Sequence, residues 1–89
     1  MRIKTGFILR RVFGQDTVMA QGTAAAHFGR VFRLSEVAAW LWREAQRQGD
    51  FTVESLAEAL CQEYDIASEE ALSDVAELTA QLQHEGVVE

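Results

Sequence analysis

The sequence contains no proline and a single cysteine, Cys61, so it can close no intrachain disulfide. It has no run of about 18 apolar residues, which excludes a membrane-spanning helix. The opening stretch MRIKTGFILRRVFG is broken by Arg10 and Arg11. It lacks the uninterrupted apolar region of a secretory signal, and a cytoplasmic location is expected. There is no repeat, no low-complexity segment and no linker. With 89 residues, one domain over 1–89 is expected.

Basic residues are also missing from half of the chain. All eight Lys and Arg lie between Arg2 and Arg47, opposed there only by Asp16, Glu36 and Glu44. From residue 48 onward there are eleven acidic residues and no basic one, within an overall net charge of −6. This pattern fits either a solvated acidic helical face or a molecule with a basic half and an acidic half.

Catalytic signatures are absent as well. There is no Gly-rich phosphate loop and no nucleophile motif. His27 and His84 are far apart, and neither makes a metal-ligand spacing with the other or with Cys61. The residues therefore point to no catalytic site, no metal and no cofactor. Cys61, in LAEALCQEY, reads as a small buried apolar residue rather than a reactive thiol.

What is present is a foldable pattern. Nearly half of the residues, 48%, are hydrophobic, which is enough for a small core. FILRRVF, residues 7–13, reads as a strand. GQDT reads as a turn and TVMAQ, residues 17–21, as the returning strand. GTAAAHFGR is a connection, and VFRL, residues 31–34, is a short third strand. Ser35 caps a first helix over about 35–48 that ends near Gly49. Thr52 caps a second over about 53–64, with a Phe51–Leu56 hydrophobic staple. Ser68 caps a third over about 69–85, stopped by Gly86. Val37, Ala38, Leu41, Trp42 and Ala45 are expected to anchor the first helix to the core. The fold class is α+β, a three-stranded antiparallel sheet followed by three helices that cover its apolar face.

Helix three carries a core stripe of Ala71, Val75, Leu78 and Leu82. A second row of Leu72, Ala76, Thr79 and Gln83 lies on one shoulder. Together they form a surface wider than an ordinary amphipathic helix needs, either because the helix is well buried or because the row lines a groove. A winged helix that binds DNA would put a basic helix against phosphate. Helix three instead carries Glu69, Glu70, Asp74, Glu77 and Glu85 and no Lys or Arg, so nucleic acid is not an expected partner. Strand addition is the other option: a short edge strand such as VFRL beside a helix shoulder can capture an extended peptide. Arg30 and Arg33 around that strand suit an acidic peptide, and equally protect a bare edge from aggregation. Pairing of two sheet edges in a homodimer would use the same groups.

Taken in order, GFILRRVFG, FRLSEVAAWLW, FTVESLAEAL, EYDI, EEALSDV and the terminal EGVVE resemble the PqqD family along nearly the whole chain. The resemblance implies a winged-helix-like fold. It also implies a RiPP recognition element, a non-catalytic module that binds the leader of a ribosomally made precursor peptide. Such a module presents the leader to a modifying enzyme, which in pyrroloquinoline quinone biosynthesis is a radical S-adenosylmethionine protein. In the family the leader adds beside the third strand and packs against the third helix. By resemblance the strand edge is Arg30, Val31, Phe32, Arg33 and Leu34, and the groove is Leu72, Val75, Ala76, Thr79 and Gln83. The junction departs from the family's more usual Leu-Asn-Glu: here it reads Leu34, Ser35, Glu36, Val37.

Overall fold

The strands come first in the chain. The computed structural model describes residues 1–22 and 31–89. In it, β1 (Phe7–Val12), β2 (Gln15–Ala20) and β3 (Phe32–Leu34) form one antiparallel sheet in the order β1-β2-β3. The connection GTAAAHFGR lies almost wholly outside the described residues. β3 begins at Phe32, one residue later than the sequence suggests, and Val31 precedes it.

Register decides which side chains meet the core. Leu9 pairs with Val18, and Val18 with Phe32. Val18 is fully buried, and Phe7, Leu9, Phe32 and Leu34 pack against the same cluster. Residues one position away lie on the opposite face, where Arg10, Thr17 and Arg33 form one rung with both arginines exposed and Thr17 buried. Asp16 is the one acid in the sheet and is buried. It accepts from Arg11 Nη2 at 3.5 Å and from Arg43 Nη2 at 3.3 Å, tying the sheet to the first helix.

The first turn lies earlier than GQDT. Val12 pairs with Gln15, which leaves Phe13 and Gly14 as a two-residue loop with φ of 52° and 79°. Such a loop needs positive φ at both positions to match the strand twist. Gly14 accepts this readily, whereas Phe13 is a bulky residue held in the left-handed region. Its side chain is 100% exposed, so nothing in the fold offsets the strain. Phe13→Asn should therefore stabilise the chain by about 1 kcal/mol. Thermal melting should show a rise of roughly 4–8 °C, and an unchanged or lower midpoint would rule the strain out.

The helices are α1 (Glu36–Gln48), α2 (Val53–Glu63) and α3 (Ser68–His84). Ser35 Oγ accepts from the Ala38 amide at 3.1 Å, as its capping position requires. Gly49, at φ 77°, ends α1. Thr52 and Ser55 satisfy each other's backbone N–H, each at 2.9 Å, in a capping box. Phe51 and Leu56 are both buried in the core. Gln48 joins this cap to α1, donating to Glu44 at 2.9 Å and accepting from Ser55 Oγ at 2.7 Å. Glu44 also accepts from Arg47 Nε at 2.8 Å. Hydrogen bonds from Arg47 and then Gln48 lower the Glu44 carboxyl pKa to about 2.

Three expectations need correcting. Ser68 is the first residue of α3 rather than its cap: the cap is Ala67, whose carbonyl accepts from the Ala71 amide at 3.0 Å, and no side chain caps the helix. Val37 is half-exposed and Ala39 is buried in its place, because the buried face of α1 runs through Ala39, Leu41, Trp42 and Ala45. Cys61 is only partly buried, since Ala57 and Leu60 take the inward face of α2.

The last residues of the chain are part of the fold. Gly86, at φ 80°, turns the chain back after α3. The Val87 amide donates to the Leu82 carbonyl and the Gly86 amide to that of Gln83, at 2.9 and 3.0 Å. Val87 and Val88 then enter the core, and residues 2–4 pair with residues 87–89.

Candidate functional site

β3 is three residues long and lies at one side of the sheet, with β2 as its only strand neighbour among the described residues. Where β3 ends, Ser35 begins a groove of about 300 Å³. Its near wall is the first turns of α1, with Val37, Ala38 and Leu41. Its far wall is α3, with Asp74, Glu77, Leu78 and Gln81. The apolar side chains exist there because α1 turns only part of its surface inward. Val37 remains 38% exposed, and Leu78 is half-buried at the edge of the core. Among the described residues, no Lys or Arg lines the groove, and neither Asp74 nor Glu77 makes an ion pair.

The residues expected from the sequence fall into separate places. Arg30 lies outside the described residues, as does His27. Val31 and Arg33 are exposed, while Phe32 and Leu34 are half-buried against the core. On α3, Val75 and Thr79 are buried and present no surface to a ligand in this structure. The Thr79 hydroxyl donates to the Ala76 carbonyl at 3.1 Å, which is how a hydroxyl occupies the core face. Ala76 and Gln83 are exposed, and Gln83 reaches Met1 Sδ at 3.4 Å. Leu72 is 40% exposed, but it lines a different hollow with Ala57, Cys61, Glu54 and Glu58, between α2 and α3. The shoulder of α3 that borders the β3 groove therefore carries Asp74, Glu77, Leu78 and Gln81 rather than the Leu72 row.

The helical period explains the difference. Both shoulders flank the buried Ala71–Val75–Leu82 stripe, and a sequence cannot say which one turns toward the strand. One cue was available: Leu78 is a large apolar residue at the rim of the stripe, with Asp74 and Glu77 beside it. Among the described residues, no cluster of His, Cys, Asp or Glu could hold a metal ion. No described helix is long and apolar enough to cross a membrane.

Comparison with known proteins gives a consistent picture. No curated protein matches the sequence. Two solved structures share the fold. One is described as TbiB1 in complex with the TbiA(beta) leader peptide. It has a TM-score of 0.77 and 18% identity, covering 100% of this chain and 95% of that one. The other is a lasso peptide synthetase B1 complexed with the leader peptide. It has a TM-score of 0.75 and 18% identity, covering 99% and 95%. The sequence also matches the family described as Coenzyme PQQ synthesis protein D over residues 7–88, and with that nearly complete match the chain belongs to the PqqD family.

Proposed function

We propose that the protein is a non-catalytic module that binds the leader of a ribosomally made precursor peptide and presents it to a modifying enzyme. The observation that carries this reading is the groove that starts where β3 stops, between the apolar first turns of α1 and the Leu78 shoulder of α3. A leader laid antiparallel or parallel to β3 would gain main-chain hydrogen bonds from the strand. Alternate side chains would drop toward Val37, Ala38, Leu41 and Leu78. Family membership and a fold shared with two proteins solved with leader peptides support the reading. The proposed contact residues are Val31 to Leu34 on the strand, with Arg30 just before it, and Val37, Leu41, Asp74, Glu77 and Leu78 in the groove. The partner enzyme is proposed to be a radical S-adenosylmethionine protein in a pyrroloquinoline quinone pathway, or another peptide-modifying enzyme.

The test is an NMR titration of isotope-labelled protein with the synthetic leader of a candidate precursor peptide. Amide shifts in residues 31–38 and 74–81 should saturate together. Shifts restricted to other surfaces would reject the site. A saturable shift that instead follows protein concentration, with doubling of mass in light scattering, would assign the edge to pairing between two copies.

A further inference from the structure

The proposed peptide site has two differently charged sides, and the pleat of β3 separates them. On the helix side, Phe32 and Leu34 point toward the core, and the groove beyond them has an apolar floor with Asp74 and Glu77 on its α3 wall. On the other side, Arg33 stands on the rung Arg10–Thr17–Arg33. Arg10 and Arg33 are both exposed, and neither makes an ion pair among the described residues. A strand added beside β3 must alternate its side chains between these two sides.

We propose that the peptide recognised here is charge-alternating: apolar and Lys or Arg side chains point toward α3, and Asp or Glu side chains point to the opposite face beside Arg33. This inference rests on the strand-addition reading above and adds the chemistry of the ligand to it. A base on the helix side meets Asp74 and Glu77, and no Lys or Arg among the described residues competes for them there. An acid there would face two carboxylates. On the outer side the preference reverses, because a residue beside Arg33 sits at the range of a cross-strand ion pair. The two preferences also fix register, since a slip of one residue would set every charge against its like.

A random twelve-residue peptide library displayed on phage and selected on the full chain tests this. The expected enriched peptides carry Lys or Arg an even number of positions from an aliphatic or aromatic residue, and Asp or Glu at odd spacing. For a synthetic peptide of that pattern, replacing the base with Gln should weaken binding about fivefold in moderate salt. The same replacement should have no effect on the double variant Asp74→Asn, Glu77→Gln. Replacing the acid should matter in the parent and not in Arg33→Gln. All three positions are exposed, so these variants should fold. Amide-shift mapping of the same peptide separates the two levels of the proposal. Peptides that map to residues 31–38 and 74–81 without the charge pattern overturn the alternation and leave strand addition standing. Peptides that map elsewhere, or no enrichment at all, overturn both.

Discussion

A variant ending at Gly86 is expected to be largely unfolded. Only three residues are lost, and on the sequence they look like a tail. Val87 and Val88 are buried in the same cluster as Trp42 and Leu60. Each buried valine contributes about 1.5–3 kcal/mol. The segment also makes four backbone hydrogen bonds: Val87 to Leu82, Lys4 to Val87, Arg2 to Glu89 and Glu89 to Arg2, each 2.9 Å. At roughly 0.5–1.5 kcal/mol apiece, these add several kcal/mol more. The sum, about 5–12 kcal/mol, rivals the whole stability expected of a domain this size, roughly 0.05–0.15 kcal/mol per residue. The loss spreads further, because residues 2–4 would have nothing to pair with. The Met1 carbonyl, which accepts from the Phe51 amide at 2.7 Å, would lose the frame that holds it. Urea denaturation by circular dichroism should show no cooperative transition, or one far below the parent's. A truncated chain that melts within a few degrees of the parent would defeat the argument. Glu89→Gln makes the contrast. It removes only the exposed Arg2–Glu89 ion pair, at 2.9 Å, and should change stability by less than about 1 kcal/mol.

The pairing of residues 2–4 with 87–89 also shows where sequence reasoning stops. α1 and α2 were legible because their signals are local: Ser35 and Thr52 as caps, Gly49 as a stop, and apolar residues at helical spacing. The terminal pair is only a few residues on each side and is separated by most of the chain. Neither half has a period to read. Phe13 shows a different limit. A phenylalanine argues for strand by propensity, yet strand register places it in a turn. Matching Leu9 with Val18 and Phe32 on one face outweighs the local cost at Phe13. At the site, the edge strand and the strand-to-helix junction at Ser35 were legible. Which shoulder of α3 meets them was not, because the angle at which a helix packs depends on the whole core.

Val37→Glu combined with Leu78→Ala should weaken leader binding about 100-fold while the chain stays folded. Val37 sits in the first turn of α1, where an acidic side chain suits the helix dipole, and its side chain is partly exposed. The fold should tolerate the change, but a carboxylate would then stand in the apolar part of the groove, where a peptide side chain would have to desolvate it. Leu78→Ala removes apolar contact from the facing wall. Losses of about 1.5 kcal/mol at each position are ordinary for central contacts, and together they correspond to about two decades in Kd. Leu72→Glu is the decisive companion. It alters the α2–α3 hollow shared with Ala57 and Cys61, on the other side of the buried stripe, and should leave the affinity within about twofold. Fluorescence anisotropy with the labelled leader, together with melting curves for all three proteins, measures both outcomes. If Leu72→Glu abolishes binding and the Val37/Leu78 pair does not, the peptide lies along the Leu72 row. The groove at the end of β3 would then be a seam in the surface rather than the site.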